Sequence, residues 1–167
     1  MGRRPGWARD QGLSADDNLT YVREFEHITL ARVLLARSAS DGDRSSLNDA
    51  SRLLARLQSA AIAGDRMGSV IEILVLESIT HQAGGDTTGA LAPLIEALTH
   101  AEPEGYLRVF VGAGPPMKSL LTAVSKMRAG WDYVRRLLTA CTHDGATVPE
   151  ETPSDRPPAS RMDSSSR

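Results

Sequence analysis

The sequence has little cysteine, few aromatic residues and no long apolar run. Its single cysteine, Cys141, cannot form an internal disulfide, which favours a reducing compartment such as the cytoplasm. No apolar run approaches the roughly 18 residues needed to span a bilayer, so a membrane protein is not expected. Residues 1–7 carry charge but are not followed by an apolar segment, which argues against a signal peptide.

The charge balance shows no strong excess of either sign. The net charge is −2, and charged residues make up 24% of the 167. A dedicated nucleic-acid-binding protein usually carries a basic surplus, so direct binding of nucleic acid is not expected. The 41% of hydrophobic residues suffices to form a core, which excludes a chain that is disordered throughout.

Local motifs for catalysis, cofactors and metals are also missing. Residues 112–119 approach a phosphate-binding loop, but Met117 replaces its glycine, and Pro115 and Pro116 lack the N–H groups that would hold phosphate. No two of the four histidines stand at i,i+4 spacing. We therefore expect no catalytic residue, no cofactor and no metal site, and we interpret the chain as a non-enzyme.

Two Glu–His pairs do stand at i,i+4 spacing, Glu77 with His81 and Glu96 with His100. Such pairs usually lie on a helix surface and stabilise it weakly. We interpret both as structural.

Helix-forming residues dominate the sequence, and Gly/Asp-rich loops interrupt them. The spacing predicts an all-α fold of about six helices. They span about 18–38, 45–63, 67–83 and 87–101, then a fifth from the prolines at 115–116 to about 128, and a sixth over 131–142. The β-branched residues of 70–76 would also suit a strand, but the length of the segment favours a helix. Residues 106–111 fit an extended segment or a short helix.

Apolar residues repeat at three- and four-residue steps and predict the buried side of the first two helices. In the first helix they are Leu19, Val22, Phe25, Ala31, Leu34 and Leu35. In the second they are Leu47, Ala50, Leu54, Leu57 and Ala61.

A shift of 40 residues superposes two helix–loop–helix units. The matched pairs are Leu34 with Leu74, Leu35 with Val75, Ala50 with Ala90, Leu54 with Leu94, and Ala61 with Ala101. The segment 85–103 resembles the second half of a tetratricopeptide repeat, although Ser78 stands where the preceding helix usually has glycine. This pattern predicts antiparallel helical hairpins stacked as a tetratricopeptide-like array. The alternative is a plain helical bundle.

Three regions follow from this pattern: an N-terminal lead-in over 1–16, a helical-repeat domain over 17–144, and a tail over 145–167. The tail is rich in proline and serine, and Val148 and Met162 are its only large apolar residues. Such a segment cannot bury enough surface to order itself, so we expect it to be disordered.

Several strings resemble one known family. They are WARDQGLS at 7–14, YVREFEHITLARVLLA at 21–36, IEILVL at 71–76, AEPEGYLRVFV at 101–111 and YVRRLL at 133–138. Together they resemble the helical-repeat region of MalT-like, LuxR-family transcriptional regulators. The resemblance implies a cytoplasmic sensing and assembly module that binds a small effector or a protein partner, including itself.

Regulators of this family also carry an ATPase module before the array and a DNA-binding module after it. The sequence matches neither, so we expect a truncated regulator without these activities. The alternatives are a free-standing protein-interaction scaffold and a non-functional gene remnant.

Five residues are candidates for ligand or partner contact. Tyr106, Arg108 and Phe110 carry aromatic and polar groups at a break in the array, although we favour the alternative that they form a packed corner where the chain turns into the next hairpin. Arg135 and Arg136 form a basic patch that would suit an acidic partner, or simply a solvated helix face. We also expect sticky apolar faces at the two ends, near 19–25 and 131–138.

Overall fold

The computed structural model describes residues 23–143, and this part of the chain contains seven helices and no strand. They are α1 (Glu24–Asp41), α2 (Arg44–Ala63), α3 (Met67–Ala83), α4 (Thr87–Ala101), α5 (Arg108–Val111), α6 (Pro115–Met127) and α7 (Asp132–His143). The all-α prediction is confirmed. The helix beyond the predicted six is α5, which lies in the segment that fitted either an extended or a short helical form.

Some expectations lie outside the described residues. These are the lead-in over 1–16, the helix start near residue 18 with Leu19 and Val22, and the disordered tail over 145–167. The proposed domain limits, 17 and 144, fall there as well.

The first four helices form two hairpins, and α3 is the central element of the array. Helix α1 packs against α2, and α3 packs against α4, while α3 also contacts α1, α2, α5 and α6. Short connections make neighbouring helices antiparallel. The buried core therefore runs without interruption from α1 to α7.

Two of these connections are built alike, 20 residues apart. The turns at 64–66 and 84–86 both close with a backbone N–H bonded to a carbonyl five residues earlier, Arg66 to Ala61 at 3.0 Å and Asp86 to His81 at 2.9 Å. The middle residue has positive φ in each turn, 53° at Asp65 and 87° at Gly85. Because the two turns have the same geometry, the chain passes from α2 into α3 in the same way as it passes from α3 into α4.

The 40-residue register is confirmed by burial. All ten residues of the five matched pairs are buried, and Ala50, Leu54, Ala61 and their partners are fully inaccessible. Fully buried alanines let two helices approach closely, because no larger side chain separates their backbones.

The structure adds a third copy that sequence analysis missed. A further shift of 40 residues carries Leu54 and Leu94 onto Val134, and Leu57 and Ala97 onto Leu137, all of them fully buried. Helix α7 is therefore the second helix of the third copy. Helices α5 and α6 together form the first helix of that copy, which is interrupted at 112–114. The prolines that follow this break cannot donate backbone hydrogen bonds, so α6 begins there.

Two predictions about exposed and buried faces are wrong. Phe25 is 72% exposed instead of buried. At about 100° per residue it lies about 120° around α1 from the buried Ala31, outside the packed side. The apolar side of α7 is not sticky, because Tyr133, Val134 and Leu137 are fully buried against the preceding helices.

The N-terminal end of α1 is held by a polar cluster that the spacing did not indicate. The Glu24 carboxylate accepts hydrogen bonds from the guanidinium of Arg66 and from Ser69 Oγ at 2.5 Å. Arg66 also donates to the carbonyl of Ala60 at 2.8 Å. Burial alone would raise the pKa of Glu24, but the bonds from Arg66 and Ser69 bring it below its ordinary value.

Candidate functional site

A groove with a volume of about 460 Å³ runs along the first helices of the three copies. It lies between α1, α3, α5 and the start of α6. Apolar side chains form most of its wall: Leu35, Ala36, Ala39, Val75, Leu76, Ile79, Val109 and Ala113. A concave, mostly apolar cleft of this size is typical of a binding site.

The groove is lined by equivalent positions of successive copies. Positions 36, 76 and 116 all contribute to its wall, as do 35 with 75, and 39 with 79. The stacking therefore places one face of each first helix side by side. A fourth set of equivalent positions consists of Arg32, Glu72 and Gly112. Gly112 lies in the break at 112–114 and has no side chain to fill the groove.

The charged residues of the groove are Arg32, Glu72 and Arg108. Arg32 and Glu72 form an ion pair at 2.6 Å that joins α1 to α3. Arg108 is exposed and has no ion pair within residues 23–143. The groove thus combines apolar walls with one guanidinium that is free to meet a negative group.

The structure separates the three candidates Tyr106, Arg108 and Phe110. Only Arg108 lines the groove. Phe110 is fully buried, with its ring at 89° to that of Tyr133 and 6.3 Å between centroids. Tyr106 is 46% exposed, and its carbonyl accepts a hydrogen bond from the Tyr133 hydroxyl. Phe110 therefore belongs to a packed corner and presents no accessible surface to a ligand or partner.

Arg135 and Arg136 lie on the exposed side of α7, and neither lines the groove. Arg135 forms an ion pair with Asp132 one turn away. The Arg136 guanidinium lies 5.6 Å from the centre of the Tyr133 ring. Burial raises the pKa of Tyr133 to about 12, although the charge of Arg136 opposes this rise. Arg136 and Tyr133 therefore interact as cation and neutral ring.

A second cavity of about 340 Å³ lies between α2 and α3. Glu77 and His81 line it from α3, and Asp86 lines it from the turn before α4. His81 Nδ1 lies 3.4 Å from a carboxylate oxygen of Asp86, so His81 is turned toward Asp86 and the expected Glu77–His81 pair does not form at contact distance. The other expected pair is present, with His100 and Glu96 4.0 Å apart.

Sequence analysis identified one residue of the groove as a contact candidate, Arg108. It placed Leu35 in the buried stripe of α1 and did not find Ala36 or Ile79. The available signal was the 40-residue shift itself, which aligns the lining positions. Within residues 23–143 no group of three His, Cys, Asp or Glu side chains could hold a metal ion. No helix in the same span is long and apolar enough to cross a membrane.

Comparison with known proteins gives one match. A sequence model described as the MalT-like TPR region matches residues 2–127. The match ends at the last residue of α6, so every residue that lines the groove lies within it. Neither the curated proteins nor the solved structures give a match. Repeat domains of this kind generally serve as non-catalytic interaction modules.

Proposed function

Because this chain belongs to the MalT-like TPR region family, we propose that it is a sensing and assembly module that binds its partner in the groove between α1, α3 and α5. The observation that carries this proposal is the groove itself, whose wall repeats in register through successive copies. A surface built from equivalent positions is the kind of extended concave site that stacked repeats use for binding.

The lining indicates the chemistry of the ligand. Val75, Leu76 and Ile79 offer apolar contact, and Arg108 offers a positive charge at the edge. The Arg32–Glu72 pair is already neutralised internally. The groove is therefore suited to an apolar segment or effector that carries one carboxylate or similar anion.

The biological setting follows from the family as a further part of the proposal. In a MalT-like, LuxR-family transcriptional regulator, this array would couple ligand binding to self-association in the cytoplasm. ATP hydrolysis and DNA binding would belong to other modules of such a regulator. The preferred protein partner is the repeat array of a related regulator or a second copy of this chain.

A free-standing interaction scaffold is the second candidate, favoured by the same groove. It differs from the first only in the partner. The gene-remnant hypothesis predicts a weakly helical chain without cooperative unfolding, whereas the continuous core and the repeated turns favour a cooperative fold.

The test measures binding of the purified chain to the purified repeat array of a MalT-like regulator from the same genome, by isothermal titration and sedimentation. Ala36 is exposed in the groove, so Ala36→Trp fills the space without entering the core. We expect saturable binding that this variant weakens by about tenfold or more.

Ala63→Trp is the matched control, because Ala63 is an exposed residue of α2 that lines neither the groove nor the second cavity. Equal affinity of the wild type and the Ala36→Trp variant would exclude the groove as the site. Absence of saturable binding to any related array would exclude the assembly role and favour the scaffold.

A further inference from the structure

The cavity between α2 and α3 is a second concave space on the array, open to solvent and separate from the groove. Its wall includes Leu47 and Leu54 from α2, and Glu77 and His81 from α3. None of these residues lines the groove. A volume of about 340 Å³ is sufficient for a small molecule or one long side chain.

Glu77 is the unusual group in this cavity. Its carboxylate is half-buried and has no hydrogen bond or ion pair with any residue in the range 23–143. Burial raises its pKa; the charge of His81 opposes this, and that of Glu96 adds to it. The nearest imidazole, His81, is directed at Asp86. A desolvated carboxylate without a cation is stabilised when a positive group binds beside it.

The rest of the wall selects among positive groups. Leu47 is half-buried and Ala55 is exposed at the cavity wall, so they present an apolar surface, whereas Leu54 lies fully buried behind it. Glu77, His81 and Asp86 do not form a metal site, because no group of three His, Cys, Asp or Glu side chains within residues 23–143 could hold a metal ion. A compact ammonium group needs one carboxylate and a few polar neighbours, and its alkyl chain would contact Leu47 and Ala55. Asn48 and Ser51 lie at the same cavity and can accept further hydrogen bonds.

We propose that this cavity binds a primary ammonium group carried on a short alkyl chain, with Glu77 as its counter-ion and Leu47 and Ala55 in contact with the chain. Two sources share this chemistry, a free alkylamine and the lysine side chain of a partner protein. Binding here is independent of binding in the groove, because the two spaces share no lining residue.

The test is a titration of the full chain with n-butylammonium and with Nα-acetyl-lysine-N-methylamide at neutral pH, followed by amide NMR shifts. We expect saturable shifts at residues of the cavity. Binding of either probe supports the proposal, and the probe that binds more tightly identifies the preferred source. n-Butanol, which has the same alkyl chain without charge, is expected not to saturate.

Three variants make the test specific. Glu77→Gln keeps the shape but removes the charge, and we expect it to weaken amine binding by about tenfold or more. Ala55→Trp fills the cavity from its exposed edge and should abolish binding. Ala36→Trp fills the groove and should leave amine binding unchanged. No saturation by either amine, or equal binding by Glu77→Gln and the wild type, would overturn the proposal and leave the groove function untouched.

Discussion

Arg32 and Glu72 occupy equivalent positions in two successive 40-residue copies and form an ion pair of 2.6 Å between α1 and α3. The stacking brings matched positions of neighbouring copies side by side. Opposite charges at a matched position therefore attract across the interface between copies, whereas identical charges there would repel. The equivalent position of the third copy is Gly112, which lines the groove and carries no charge. The pairing of charges therefore does not continue from the second copy to the third.

Removing either charge of this pair should cost little. The side chains of Arg32 and Glu72 are 51% and 24% exposed, so solvent screens their attraction. We expect Arg32→Ala or Glu72→Ala to lower the free energy of unfolding by about 0.5 kcal/mol, measured by urea titration. The exchanged double variant, Arg32→Glu with Glu72→Arg, should recover most of the loss. A loss above about 2 kcal/mol for either single variant would show that the pair does more than join the copies.

The Glu24 cluster should make the fold sensitive to acid. The pKa of Glu24 in the folded protein lies below its ordinary value of 4.5. Its contribution to the stability of the fold is therefore fully present above pH 4.5 and is lost as the pH falls through the folded pKa. Glu24→Gln should therefore be less stable at neutral pH and should lose less stability on acidification. Urea titrations at a series of pH values measure this difference. Parallel curves for the variant and the wild type would contradict it.

Glu77 should behave in the opposite way. Its folded pKa is raised, so the protein gains stability as the pH falls through that value toward 4.5 and loses it as the pH rises. We expect Glu77→Gln to raise the melting temperature at neutral pH and to remove this part of the pH dependence. Glu104→Gln is the comparison, because Glu104 is exposed and does not contribute to the raised pKa of Glu77. A melting temperature lowered by Glu77→Gln would show that the carboxylate has a stabilising partner.

The close approach of helices at Ala50 should not tolerate a larger side chain. Ala50 is fully buried, and Ala55 is exposed on the same helix. Ala50→Leu should destabilise by about 1–3 kcal/mol through overpacking, whereas Ala55→Leu should change little. Chemical denaturation of both variants tests this. Similar stability of the two variants would mean that the helices can move apart at Ala50.

The corner formed by Phe110 and Tyr133 should be needed for folding of the third copy. Phe110→Ala removes a fully buried ring and should cost about 3–5 kcal/mol. Tyr133→Phe keeps the ring and removes only the hydroxyl that bonds to the Tyr106 carbonyl, so its cost should be about 1 kcal/mol. Denaturation followed by far-UV circular dichroism measures both. A Phe110→Ala variant as stable as Tyr133→Phe would contradict the packed corner.

The candidate site was less predictable than the fold. Arg108 could be singled out because it stands beside a break in the array, and it does line the groove. Phe110 stands two residues away and is buried, since α7 covers it. Sequence spacing does not say which neighbour will cover an aromatic ring, so the two residues could not be told apart.

The sequence by itself determined the helices, the turns between them and the 40-residue register. These depend on nearby residues: apolar spacing, glycines at turns and prolines at a helix start. Tertiary structure alone decided that Phe25 faces solvent, that His81 is turned toward Asp86, and that the first helices of three copies leave a groove. The exposure of Phe25 and the groove depend on how helices distant in sequence pack together, and the orientation of His81 depends on the turn that places Asp86 beside it. Apolar spacing along one helix encodes neither the side that its neighbours cover nor the space that remains between them.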